Sequence, residues 1–157
     1  MNGLLLNILL AAVWVFLTGE LNFQNFVEGF VIGFAIIFVT KNVTSTSSYL
    51  RKIPKIIEFV FYFIYELILA NIKVTVDILT PKHRMTPAII AVPLTIDKNF
   101  EITLLANLIT LTPGTLSLDL SSDKKILYVH SMYVDDPEKF RDSIKNGFEK
   151  KIMEITR

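Results

Sequence analysis

The sequence predicts a membrane α plus α+β protein. It reads as an N-terminal transmembrane helical hairpin, a long amphipathic helix, and a small C-terminal β-α-β-β-α domain of the ferredoxin-like type. Three observations predict this. Charge is segregated: residues 1–40 carry only Glu20 and Glu28, and all 16 Lys and Arg lie at or after Lys41. An aromatic-rich helical segment with a single charged stripe follows. Beyond it, hydrophobic periodicity switches between the helical period and the alternation of a strand, with turn residues at each switch. The expected divisions are 1–40 for the hairpin, 41–55 for a basic linker, 56–80 for the amphipathic helix and 81–157 for the domain.

The membrane assignment rests on composition. Hydrophobic residues make up 52% of the 157-residue chain, and mean hydropathy is +0.49. Asn2 to Leu17 and Leu21 to Thr40 are apolar runs, reaching roughly 24 and 30 Å as helices, so the first is short for a hydrocarbon core. Thr18-Gly19-Glu20 between them is short and polar, which predicts antiparallel neighbours. Gly29 and Gly33 form a GxxxG spacing that permits close backbone approach to another helix. Glu28 lies within the second run, as an intramembrane carboxylate or one that reaches the outer interface. A cleaved leader is not expected, because a basic n-region is missing.

The linker carries Lys41, Arg51, Lys52 and Lys55 with no acid, so it is expected on the cytoplasmic side. Lys73, Lys82 and Arg84 ask for the same side after the next apolar stretch. Within that stretch Glu58, Tyr62, Glu66, Ala70, Lys73 and Asp77 share one helical stripe, while Phe59, Phe63, Ile64, Leu67, Ile68, Ile72 and Leu79 occupy other faces. Such a helix can lie in the interface, charged side to water and aromatics to lipid. The competing reading is a third span with Glu66 and its neighbours buried in it, paired across to another subunit.

In the C-terminal region, PAIIAVPL at 87–94 reads as a strand that ends at Pro93. Asp97 is the expected N-cap of the next helix. Ile102 to Leu118 holds no charge, yet it does not read as a span. Leu104, Leu105, Leu108 and Ile109 recur at helical spacing, Pro113-Gly114 has the chemistry of a type II turn, and Leu116, Leu118 and Leu120 alternate with polar residues. KILYVHSM is apolar on both faces, as in a central strand. Asp136-Pro137-Glu138 marks a helix start, and Phe140, Ile144, Phe148 and Ile152 give the helix an inward stripe. The resulting order predicts three strands arranged 1-3-2, with two helices on one face. The other face is left for the long helix, another subunit or solvent.

The run NLITLTPGTLSLDL followed by LYVHSMYVDDPEKF resembles the E subunit of Mrp-type (Mnh) multisubunit sodium/proton antiporters of bacteria. The likeness covers the whole chain and is most specific at Leu111, Thr112, Pro113, Gly114 and Thr115 and at Tyr128 to His130. The resemblance implies an accessory subunit in the bacterial cell membrane, needed for full assembly or activity. Its partners would be the other subunits and membrane lipid, and the larger subunits would carry the ion pathways.

The residues add little chemistry of their own. His130 and Ser131 are adjacent in a strand and point to opposite faces, so they cannot act as a dyad. Asp135-Asp136 are explained by helix capping. Without cysteine there is no disulfide or thiolate metal site, and no phosphate loop or ligand spacing occurs. The chain is therefore expected to be no enzyme, with no cofactor, no metal, no nucleic acid and no small-molecule substrate of its own. Two other functions fit the same organisation: a ligand-sensing regulatory membrane module, and a stand-alone homo-oligomeric adaptor packed through Gly29 and Gly33.

Overall fold

The computed structural model describes residues 3–40, 47–81 and 85–157. They form a helical protein with one small antiparallel sheet, in two compact units, Met1–Ile56 and Ile57–Arg157. In the first unit α1 (Gly3–Thr18) and α2 (Phe23–Val39) pack along each other. Gly19 stops α1 with φ +74°, a conformation that glycine adopts without steric cost. Asn22 then caps α2, its side chain accepting from the Asn25 N–H at 2.7 Å. The connection is therefore set by one glycine and one asparagine, and it leaves the apolar flanks of both helices outward.

α3 runs from Ser47 to Leu79, 33 residues with Pro54 inside. It begins nine residues before the expected boundary at 56. The Ser, Lys and Arg composition of that segment favours a linker, but helix forms there all the same. Pro54, early in the helix, removes one backbone hydrogen bond without ending it. The rest of the expected linker, residues 41–46, lies outside the described residues. Leu50–Leu79 is long and apolar enough to cross a membrane, whereas α1 and α2 are shorter apolar helices of 16 and 17 residues.

The second unit continues with β1 (Ala88–Pro93), α4 (Asn99–Leu111), β2 (Thr115–Leu120) and β3 (Ile126–Ser131). α5 (Pro137–Ile144), a π-helical turn (Lys145–Glu149) and α6 (Lys150–Thr156) complete it. The strand order is β1-β3-β2, both pairs antiparallel, which is the arrangement expected from the element order. Ile90 and Val92 of β1 and Leu127 and Val129 of β3 turn to one face. There they are buried with Ile102, Leu105 and Ile109 of α4 and Ile144, Phe148 and Ile152 of the C-terminal helices. The inward stripe at 140, 144, 148 and 152 holds even though a π-helical turn interrupts it.

Two local expectations are corrected. The N-cap of α4 is Lys98, whose side chain makes no capping bond, while Asp97 is exposed and pairs with Arg157 at 3.4 Å. β2 does not alternate strictly: its register shifts between Ser117 and Asp119. Leu116 and Leu118 lie exposed on the open face, and the bulge turns Leu120 to the core. Of the three covers left open for the other face of the sheet, α3 is not the one, since Ile89, Leu116, Leu118 and Tyr128 stay exposed there. It packs instead on the helical side.

Candidate functional site

The stripe of α3 that carries Glu58, Tyr62, Glu66, Ala70, Lys73 and Asp77 faces its own domain. This reverses the expectation that the charges look to open water. Lys151 of α6 bonds Glu58 at 2.6 Å and lies 4.9 Å from the Tyr62 ring centroid. Tyr62 meets Phe148 edge to face at 5.5 Å, with Phe63 tilted against the same ring at 6.3 Å. Gly147 makes room for this contact, since a Cβ there would lie 2.5 Å from the Tyr62 hydroxyl. Farther along, Lys73 sits 4.3 Å from the Tyr133 ring centroid, and Asp77 is 7% exposed. Burial, and then the neighbouring Asp77 carboxylate, push the Tyr133 hydroxyl above its usual pKa.

Phe59 and Phe63, expected toward lipid, also pack against the domain core. From Ile57 to Leu79 the half-buried or buried residues of α3 are Phe59, Tyr62, Phe63, Glu66, Leu67, Ala70, Val74 and Asp77, the three-four spacing of a single helix face. The outward face is nearly all apolar: Ile57, Phe61, Ile64, Ile68, Ile72 and Leu79 are exposed. The helix is thus amphipathic in an unusual sense, with its polar side turned toward its own domain and its apolar side uncovered in this single chain.

The Leu111 to Thr115 segment closes the seam. Thr115 N–H donates to Thr112 O at 3.1 Å, with Pro113 and Gly114 as the central pair and Gly114 at φ +88°. That is the geometry of a type II turn. A Cβ on Gly114 would sit 3.3 Å from the Tyr133 ring, so glycine serves both the backbone angle and the contact. The Thr112 hydroxyl donates to Leu108 O at 2.9 Å and the Thr115 hydroxyl to Ile109 O at 2.5 Å. These bonds tie the turn to the end of α4. Leu111 is 61% exposed. Between α3 and this turn lie two adjoining cavities of about 170 and 260 Å3, sharing Glu66, Thr112, Thr115 and Phe140 in their walls.

In the first unit Gly29 and Gly33 both lie in the α1–α2 seam. A Cβ on Gly29 would be 2.8 Å from Trp14 Cβ, and one on Gly33 would be 2.5 Å from Asn7 Oδ1. Asn25 locks the end of the seam, accepting from Trp14 Nε1 at 3.0 Å and donating to Glu20 O at 2.9 Å. Asn7 is fully buried, and both of its polar side-chain atoms lack a hydrogen-bond partner. Glu28 faces away from the seam and is exposed. The structure therefore brings Glu66 together with the 112–115 turn, and Gly29 with Gly33, while Glu28 joins neither group.

His130 stands in β3 opposite Ile89 and Leu116 on the open face, and Ser131 is 2% exposed on the helical side. Asp136 caps α5 through the Glu138 N–H at 2.9 Å and the Lys139 N–H at 3.4 Å. Among the described residues no group of three His, Asp or Glu could hold a metal ion.

Sequence reasoning missed two buried carboxylates. Glu149, 1% exposed, accepts from the backbone N–H groups of Thr95 and Ile96, the latter at 3.0 Å. Glu101 is fully buried and bonded by Thr156 at 2.6 Å and Lys98 at 3.1 Å. The Thr156 hydroxyl, and then Lys98 and Arg157, hold the Glu101 carboxyl below the usual glutamate range against the opposing effect of burial.

A family model described as a Na+/H+ ion antiporter subunit matches residues 7–155. The E subunit of the Na+/H+ antiporter of Bacillus subtilis is 42% identical over 154 residues, covering 98% of each chain. Its counterpart from Alkalihalophilus pseudofirmus is 41% identical over the same length and coverage. Among solved structures, a chain of the Mrp complex from a Dietzia species aligns with TM-score 0.50 and 30% identity, over 65% of this chain and 96% of that one. A chain of an archaeal membrane-bound sulfane sulfur reductase, a respiratory membrane complex, aligns with TM-score 0.62 and 28% identity over 98% of both.

Proposed function

The chain belongs to the family of Na+/H+ antiporter E subunits, and from that premise we propose that it is an accessory, non-catalytic subunit of a multisubunit Na+/H+ antiporter in the cell membrane. Its partners are the other subunits of an Mrp/Mnh complex. In this reading α1 and α2 form a transmembrane hairpin. The residues 81–157, a ferredoxin-like unit lacking its last strand, lie on the cytoplasmic side, and α3 lies in the membrane interface. The 111–115 turn and Glu66 belong to the seam that holds α3 to the domain. Gly29 and Gly33 serve helix packing, and Glu28 stands at the outer interface.

The observation that carries this reading is the direction of α3. Its domain contacts extend from Glu58 to Asp77, 19 residue steps or about 28 Å along the helix. A helix held to a domain over that length cannot cross hydrocarbon without drawing strand edges in with it, where unpaired backbone groups are not tolerated. Lying flat, the same helix puts its apolar face into lipid and keeps its charges on the protein side. Two short helices enclose no ion path, so the antiport chemistry belongs to partner subunits.

The test is sodium-dependent dissipation of a proton gradient in everted vesicles, at matched levels of the remaining subunits. Removing this chain should lower antiport and reduce co-purification of the complex, and Glu28→Gln should preserve both. Full antiport from an intact complex without this chain would overturn the accessory role. Loss of activity in an assembled Glu28→Gln complex would make that carboxylate part of the transport path.

A further inference from the structure

The smaller cavity beneath α3 has a lining whose chemistry is one-sided. Its walls include Glu66, Thr112, Thr115 and Ser143, with Phe140 and Phe148 as aromatic faces. The threonine and serine hydroxyl hydrogens are already committed. Thr112 donates to Leu108 O, Thr115 to Ile109 O, and Ser143 to Phe140 O at 2.8 Å. A hydroxyl that has donated retains only acceptor lone pairs. The cavity therefore offers one carboxylate and several neutral acceptors to whatever enters it.

Among the described residues, the wall of this cavity carries no cation. Lys73 lines the adjoining cavity, which shares Glu66 with this one, but its ammonium rests on the Tyr133 ring, 4.3 Å from the centroid. Lys151 is bonded to Glu58. With fewer than three clustered His, Asp or Glu among the described residues, the site lacks the ligand set of a divalent ion. A group with several donors, a positive charge and a slender apolar stem satisfies every part of the lining. Its N–H groups meet Glu66 and the hydroxyl oxygens, its charge meets the aromatic faces, and its stem meets Ile109 and Ile144.

We propose that the cavity around Glu66, walled by the 112–115 turn, binds a primary ammonium group on a short aliphatic stem. A lysine side chain of a neighbouring subunit and a free alkylamine present that same group. The site gives the Thr-Pro-Gly-Thr turn a purpose beyond reversing the chain, because it sets two donated-out hydroxyls in the same cavity wall as one carboxylate.

The experiment titrates butylammonium into the full chain in lipid nanodiscs, followed by saturation-transfer NMR, with butanol and butyrate as isosteric controls. Saturable binding of butylammonium alone is expected. Glu66→Gln should weaken it by about tenfold or more, and Ser143→Phe should block it by filling the cavity from the opposite wall. Folding of both variants is verified by circular dichroism. Repeating the titration on the assembled complex separates the sources: lost binding means a neighbour's lysine already occupies the site, and retained binding means a free amine reaches it. Equal binding of butanol, undiminished binding in folded Glu66→Gln, or no saturable binding to the isolated chain would overturn the proposal.

Discussion

Replacing Glu149 with alanine removes a buried carboxylate that ties the β1–α4 connection to the C-terminal helices. Its Oε1 accepts from two backbone N–H groups. That of Ile96 is buried and that of Thr95 is partly so. Losing a charge-assisted bond to a buried N–H costs about 2 kcal/mol, and the partly wetted second bond costs about 1 kcal/mol. The sum, about 3 kcal/mol, is a large share of the stability of a small domain. It corresponds to roughly a hundredfold faster hydrogen exchange of the β1 and β3 amides when exchange proceeds through opening of the unit. Glu149→Gln keeps an acceptor oxygen in place and should lose only about 1 kcal/mol, the charge assistance. The assay is amide exchange of the full chain in nanodiscs, read at β1 and β3. Less than about a threefold change in Glu149→Ala would refute the reasoning, as would Glu149→Gln being no better than alanine.

Glu101 makes the unit acid-sensitive. Folding holds its carboxyl below the usual 4.5, so its stabilisation is complete above that value and is lost as pH falls through the lower folded value. Thermal unfolding should therefore drop on the acid side, and Glu101→Gln should flatten that limb; an unchanged limb would contradict the assignment. Gly29→Ala forces a Cβ to within 3.0 Å of the Ala11 carbonyl, an overpacking of about 1–3 kcal/mol. The indole N–H resonance of Trp14, the single tryptophan, should shift as its bond to Asn25 lengthens, and an unmoved resonance would show that the seam tolerates the methyl.

Much of the fold is legible in the sequence because the governing physics is local. Pro113-Gly114 dictates a turn wherever it falls, Asp136-Pro137 dictates a helix start, and the stripe at 140, 144, 148 and 152 dictates an inward face. What is not legible depends on partners distant in sequence. Glu149 meets Ile96 across 53 positions and Glu101 meets Thr156 across 55, so a lone acid in a polar stretch carries no sign of burial. The stripe of α3 is visible in the sequence, but its direction is the reverse of the one expected. Periodicity shows that charges share a face without showing what that face meets, and the cations and rings that receive it come from Lys151, Tyr133 and Phe148. The lysine cap at 98 and the bulge at Leu118 likewise follow from how β1 and β2 enter the sheet, where tertiary demands override side-chain preference.

The interfacial placement of α3 is tested most directly by depth. Ile57, Ile68 and Leu79 are all exposed and are spaced 11 residues apart, which returns each to nearly the same side of a helix. Spin labels at these three positions, in the full chain in nanodiscs, report immersion by their collision with oxygen against a water-soluble relaxant. A flat helix predicts one shared, shallow depth. A spanning helix would place the label at 68 deeper than those at 57 and 79 by up to about 16 Å, and that profile would contradict the account.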